Sequence, residues 1–219
     1  MMDHHAGLQG GTPAAVRTQV TIPLRFPDGY TVTTEAATFR GLVDGAEHVA
    51  LRLGKPAADS TPLVRMHSEC LTGDVFGSTR CDCGPQLREA VERIENTGGV
   101  LLYLRQEGRG IGLYNKLDAY ALQDAGLDTY QANTALGLPE DARDYTAAAQ
   151  MLTALGVTEL DLLTNNPDKA RQLRSLGISV VETVPTGVHA TPANLRYLSA
   201  KVEHTHHTIA LGAIAHPAG

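Results

Sequence analysis

The stretch CGPQLREAVERIENTGGVLLYLRQEGRGIGLYNKLDAYALQD, residues 83–124, decides the fold. Leu87, Ala90, Val91 and Ile94 fall at i, i+3, i+4 and i+7, the spacing that lays apolar side chains along one stripe of a helix. Pro85 stands near the start, where a missing N–H costs little, and Gly98 stands just past the end. The pattern then becomes GVLLYLR (99–105), a short continuous apolar run of buried-strand type. A second helix is expected over 111–124, with Leu113, Leu117, Tyr120 and Ala121 on one apolar face. Helix, buried strand and helix joined by short turns are the unit of a layered α/β arrangement.

Downstream the alternation continues. A helix is expected from Asp144, a plausible N-cap, to Gly156, then a strand over 159–164, a helix over 167–176 closed by Gly177, and a strand over 178–184. Upstream the period is that of strands. Residues 18–26, 30–39, 48–53 and 63–66 are rich in Val, Thr, Leu and Phe, with turn signals at Pro27-Asp28-Gly29 and Gly54-Lys55-Pro56. The expected class is therefore α/β: a mixed sheet with flanking helices, β-rich in its N-terminal third and followed by alternating helices and strands. Residues 1–15 and 210–219 read as tails, and 16–209 as one domain with no linker or repeat.

Composition sets outer limits. The 219 residues are 42% apolar and 19% charged, with a formal charge of −6, an ordinary globular balance without the basic footprint of a non-specific nucleic-acid binder. No apolar run approaches the ~18 residues of a membrane span, and MMDHHAGLQGG lacks the apolar core of a secretory signal. The expectation is a cytoplasmic protein that binds neither nucleic acid nor membrane.

Four segments carry chemistry. The three cysteines, Cys70, Cys81 and Cys83, all lie within positions 70–83, with spacing Cys-x10-Cys-x-Cys. An odd number cannot pair fully as disulfides, whereas thiolates suit zinc, and three ligands leave a fourth position for water. The alternative, three small buried hydrophobes, is opposed by the polar and turn-forming neighbours Glu69, Arg80, Asp82 and Gly84. His67-Ser68-Glu69 supplies half of a zinc deaminase signature, but the Pro-Cys-x-x-Cys half is missing. The segment RQEGRGIG (105–112) follows a strand and opens a helix, a setting in which glycines and an arginine suit an anion; a plain turn would serve with fewer glycines. Glu140-Asp141-Ala142-Arg143-Asp144 reads either as a solvated charge run or as an acid and a base facing one cavity. Thr164-Asn165-Asn166-Pro167 ends a strand, where open α/β sheets place ligands, with Lys169 one turn on.

Taken together, RMHSECLTGDVFGSTRCDCG (65–84), LLYLRQEGRGIGLYNKLDAYALQD (101–124), DARDYTAAAQMLTALGV (141–157) and LLTNNPDKA (162–170) resemble GTP cyclohydrolase II of riboflavin synthesis, from about Val16 to Ile209. The resemblance implies an enzyme that opens the imidazole ring of GTP, releases formate and pyrophosphate, and leaves 2,5-diamino-6-(5-phosphoribosylamino)pyrimidin-4(3H)-one. It implies zinc on Cys70, Cys81 and Cys83, and Mg²⁺ with the triphosphate. Arg65, Met66, His67, Ser68, Glu69, Gln86, Glu107, Gly108, Arg109, Thr129, Thr164 and Lys169 match GTP-contacting positions. Asp141 matches a proton acceptor, Arg143 a nucleophile and Tyr120 an active-site tyrosine, although Tyr120 on an apolar helical face is also what a core tyrosine looks like. A homodimer is implied by the resemblance alone. The alternatives are a relative that stops at the formylamino pyrimidine and a zinc-dependent nucleotide sensor. His4, His5, His204, His206 and His207 are expected to be tail residues.

Overall fold

The computed structural model describes residues 13–127, 129–139, 141–195, 197–199 and 202. The five tail histidines and Glu140 lie outside that set, as do the side chains of Thr129 and Tyr130. Among these residues seven strands form one sheet: β1 (Ala15–Arg25), β2 (Thr31–Arg40), β3 (Val49–Leu53), β4 (Leu63–Ser68), β5 (Gly99–Leu104), β6 (Glu159–Leu163) and β7 (Ser179–Val184). Their order is β1-β2-β3-β5-β4-β6-β7. β1, β2, β3 and β5 pair antiparallel, while β5, β4, β6 and β7 run parallel. The sheet is thus mixed because its first third returns by hairpins and its remainder by helices. β1 starts at Ala15, inside the stretch read as a tail.

The α-helices that flank the sheet include α1 (Leu71–Asp74), α2 (Cys83–Thr97), α3 (Leu113–Asp124), α4 (Thr129–Ala135), α5 (Thr146–Ala154) and α6 (Pro167–Ser175). The two-residue period of the strands sorts side chains to opposite faces. Val64, Met66, Val100, Leu102, Leu104, Leu160 and Leu162 pack with Met151 and Leu152 of α5 and Leu173 of α6. Leu63, Leu101 and Leu163 point the other way and pack with Ala90, Val91 and Ile94 of α2, the stripe expected from the sequence. Burying a side chain such as Ile94 contributes about 1.5–3 kcal/mol. Gly98, with φ +83°, turns α2 into β5, and a Cβ there would lie 2.0 Å from the Pro56 nitrogen, so both the turn and the space require glycine.

Two helix readings need correction. The stripe Leu113, Leu117, Tyr120 and Ala121 is not a core face: Ala119 is the buried residue of α3, and Leu117 is 43% exposed. Asp144 caps α5 from one position further out than expected, its Oδ1 accepting from Thr146 N at 2.7 Å while Tyr145 occupies the N-cap. The short helices α1 and α4 had no periodic signal in the sequence. No helix among the described residues is long and apolar enough to cross a membrane.

A three-thiol cleft at the ends of the parallel strands

β4, β5 and β6 are adjacent and parallel, so the segments that follow them leave the sheet at one edge. Cys70 comes two residues after β4, as the N-cap of α1, and Cys83 is the first residue of α2. The three Sγ atoms lie within 4.8 Å of one another, and those of Cys70 and Cys81 are 3.6 Å apart. A disulfide needs about 2.05 Å. Zinc–sulfur bonds of ~2.3 Å at tetrahedral angles would place two sulfurs about 3.8 Å apart, so the donor set fits such an ion. Gly73 keeps the cradle open: a Cβ there would stand 2.7 Å from the Cys81 Sγ and 3.1 Å from that of Cys70. Hydrogen bonds from the Cys81 and Cys83 thiols, then the charge of Lys116, hold the Cys70 thiol far below its ordinary value. Among the described residues this is the group of Cys, His and carboxylate side chains able to hold a metal ion.

The cradle is braced by two buried carboxylates. Asp74 accepts from Cys70 N at 3.0 Å, from Tyr103 Oη at 2.9 Å and from His67 Nε2 at 3.1 Å. Burial pushes the His67 imidazole down despite that carboxylate, so it is neutral and donates from Nε2. Glu107 accepts from Leu71 N at 2.7 Å on one oxygen, and from Gly108 N and Lys116 Nζ at 2.9 and 2.8 Å on the other. Lys116 also reaches the Cys70 Sγ at 3.2 Å and Thr72 Oγ1 at 3.0 Å. Burial would lower the Lys116 ammonium, but Glu107 and the Cys70 thiolate outweigh it and raise it. Both carboxylates are therefore occupied in positioning the thiols. Sequence reasoning missed Asp74 and Lys116. Lys116 had a signal, since it precedes Tyr120 by one turn of α3.

In the turn after β5, Arg109 has φ +62°, the one non-glycine residue with left-handed backbone among those described. Such strain clusters at functional sites. The Arg109 carbonyl accepts from Ala142 N at 3.0 Å, which ties this turn to the Asp141–Arg143 loop. Between the thiols and the turn lies a cleft with about 710 Å³ of empty space, its open mouth included. Ser68, Glu69, Cys70, Cys81, Cys83, Glu107, Gly108, Arg109 and Tyr120 all line it, as do Arg80, Lys116 and Tyr197. Tyr120 thus belongs to the cleft and not to the core. The Arg80 guanidinium lies over its ring at 4.8 Å and is fixed in turn by Asp124 at 2.7 Å.

The other residues singled out lie around this cleft. Arg143 makes a two-pronged contact with Asp141, Nε to Oδ1 at 2.8 Å and Nη2 to Oδ2, and its backbone N reaches Oδ1 at 3.1 Å. Burial alone would lower the Arg143 pKa, but Tyr145 and Asp141 more than compensate and raise it, so the group is a guanidinium cation. Arg65 and Lys169 are buried and directed inward. Arg65 donates to Leu163 O at 3.0 Å and Gln86 Oε1 at 2.8 Å, and Lys169 donates to Met66 O at 2.6 Å. Gln86 donates to Asp82 Oδ2 at 2.6 Å, and Thr164 Oγ1 accepts from Asn166 N at 3.0 Å. Arg65, Met66, His67, Gln86, Thr164 and Lys169, like Asp141 and Arg143, are not among the residues that line this cleft. Thr129 opens α4.

A sequence model described as GTP cyclohydrolase II matches residues 18–185, which include all four chemical segments. The chain belongs to the GTP cyclohydrolase II family. Among its relatives, the GTP cyclohydrolase-2 of Vibrio parahaemolyticus is 57% identical over 180 residues, covering 81% of this chain and 90% of that protein. The GTP cyclohydrolase-2 of Vibrio cholerae is 56% identical over 183 residues, covering 82% and 91%. The riboflavin biosynthesis protein RibBA of Bacillus cytotoxicus is 52% identical over 194 residues, covering 88% of this chain and 48% of its own length. The family resemblance read from the motifs is the family these comparisons show.

Proposed function

We propose that this protein is a GTP cyclohydrolase II that hydrolyses GTP to formate, pyrophosphate and 2,5-diamino-6-(5-phosphoribosylamino)pyrimidin-4(3H)-one. The observation that carries the reading is the convergence of three thiols, a braced arginine turn and a tyrosine on one cleft, in a chain 57% identical to a GTP cyclohydrolase-2. Cys70, Cys81 and Cys83 would hold zinc, which when bound supplies a Lewis acid that activates water for attack at C8 of the base. Glu69 and Tyr120 line the cleft with the thiols and would serve as its proton-handling groups.

The triphosphate enters as its Mg²⁺ complex, and Arg109 and Arg143 neutralise the charge that develops as pyrophosphate leaves. A guanidinium held protonated by Asp141 is a poor nucleophile. We therefore assign Arg143 the stabilisation of the α-phosphate, with Asp141 fixing its planar fork. Arg65, Met66, His67, Gln86, Thr129, Thr164 and Lys169 remain candidate GTP contacts from the family pattern. Three free cysteines suit the reducing cytoplasm. A homodimer is proposed too, supported by β1, whose outer edge is unpaired among the described residues and whose Val20 and Ile22 are 49% and 37% exposed.

The test is incubation of the zinc-loaded protein with GTP and Mg²⁺, followed by mass analysis. Formate, pyrophosphate and the diaminopyrimidinone are expected together. Retention of the formyl group would select the formylamino alternative, and GTP bound without any product would select the sensor. A monomeric mass at micromolar concentration would refute the dimer.

A further inference from the structure

The match to the family model ends at residue 185. The chain beyond it nevertheless returns to the cleft, held by three sets of contacts. Asn165, in the turn after β6, pairs with Thr186 in both directions: its Nδ2 donates to Thr186 O at 3.1 Å and its Oδ1 accepts from Thr186 N at 3.0 Å. Glu89, on α2, accepts from Gly187 N at 2.9 Å, from His189 Nε2 at 2.8 Å and from Arg93 Nη1 at 3.0 Å. Asn194 is 2% exposed; its side chain accepts from Thr191 N at 2.8 Å and donates to His189 O at 2.9 Å. Its carbonyl accepts from Leu198 N at 3.0 Å, and Leu198 is fully buried. Tyr197 sits in that last turn and lines the cleft together with the three cysteines.

On the reading given under Proposed function, the atom attacked is C8 of the base, and the attack occurs at the thiols. A side chain lining the cleft beside the thiols therefore meets the purine ring, while the phosphates extend away from it. Tyrosine offers such a ring a flat, polarisable face, and stacking of this kind is sequence-tolerant and costly to lose. Tyr197 lines the cleft with Cys70, Cys81 and Cys83, the side at which that attack is placed.

We propose that Tyr197 is a base-contacting residue that packs against the purine ring of the bound nucleotide, and that the Glu89 and Asn165 contacts exist to deliver it there. This rests on the cleft's being the GTP site, and the segment after residue 185 is then a working wall of that site. The role is one of positioning and base recognition. No bond is made or broken at Tyr197.

The experiment compares two competitive inhibitors of GTP turnover, GMP and inorganic tripolyphosphate, and measures GMP binding directly by equilibrium dialysis. Tyr197→Ala is expected to weaken GMP about tenfold, raise the KM for GTP by a similar factor, and leave inhibition by tripolyphosphate unchanged. Tyr197→Phe keeps the ring and should restore most of the GMP affinity. Glu89→Ala, outside the cleft, should weaken GMP selectively as well, at unchanged bound zinc. The proposal is overturned if Tyr197→Ala binds GMP as tightly as the parent, or if GMP and tripolyphosphate weaken together, which is the pattern of general damage to the fold. A parent protein that neither binds nor converts GTP would overturn the GTP reading itself, whereas an active parent with an indifferent Tyr197→Ala overturns only the wall.

Discussion

Gly73→Ala isolates the thiol cradle from everything around it. Gly73 lies buried in α1, and its backbone is outside the left-handed region, so alanine is conformationally acceptable there. Helix propensity alone would make the change favourable by up to about 1 kcal/mol. The added methyl, however, would stand 2.7 Å from the Cys81 Sγ, 3.1 Å from the Cys70 Sγ and 3.1 Å from the Cys83 Cβ. Ordinary contact needs ~3.5–4.0 Å, so one sulfur must retreat by roughly an ångström and the other by roughly half of that. Retreat on the far side is opposed, because the two sulfurs are already 3.6 Å apart and Lys116 holds Cys70. Overpacking of this kind costs about 1–3 kcal/mol. If that strain falls on the metal-bound geometry, zinc affinity drops roughly 5- to 150-fold. The assay is zinc content per chain during titration with a competing chelator, alongside Tm with and without zinc. The reasoning is refuted if Gly73→Ala holds zinc as tightly as the parent and melts higher, as propensity alone would have it.

Three further outcomes follow from contacts already described. Asp74→Asn leaves Cys70 N, His67 and Tyr103 competing for a single carbonyl oxygen, and should cost about 2–4 kcal/mol with a matching loss of bound zinc; an unchanged Tm would rule out the bracing role. Arg143→Lys keeps the charge but loses the two-pronged contact with Asp141, so kcat for pyrophosphate release should fall about tenfold or more, and a kcat within twofold of the parent would mean that charge alone suffices. Burial would raise the Glu89 carboxyl, but Gly187 N–H, His189 and Arg93 bind its charged form and lower it. A lowered folded value means that the contact stabilises above the ordinary glutamate value of about 4.3 and is lost as pH falls through the folded one. Protease sensitivity of the chain after residue 185 should therefore rise in acid, and Glu89→Gln should remove the pH dependence; a parent whose sensitivity stays flat in acid counts against the contact.

What the sequence could and could not say follows from how local each signal is. The α2 stripe, the β5 run and the Asn166-Pro167 start of α6 are readable because propensity, capping and apolar period agree within a dozen residues, and each element lies within two residues of its expected bounds. α1 is four residues long, less than a period, and so gave no pattern. α3 misled because periodicity records where apolar groups lie and not what covers them; Lys116, Ala119 and Tyr120 face the cleft, while Leu117 faces solvent. The cysteine spacing was legible because all three thiols come from one short segment. Asp74 and Tyr197 were not, since each is an ordinary residue type that gains its role only when chain distant in sequence folds against it. The Asp141–Arg143 pair reads in the sequence as a charge run or as a site, and its link to the Arg109 turn, through Ala142 N, joins chain too far apart for any local pattern to announce.

The uneven burial of the sheet has one more consequence. β4 and β5 are buried along nearly their whole length, whereas β1 is largely exposed and, among the described residues, pairs with one strand. Amide hydrogen exchange will follow this gradient. In the isolated chain the β1 amides open locally at small cost, while those of β4 and β5 exchange only through near-global unfolding. The thiols and the arginine turn hang from the slow strands, so motion at the sheet margin is decoupled from the chemistry. If two copies associate along β1, its exchange will slow as protein concentration rises, with no change in the strands that carry the cleft.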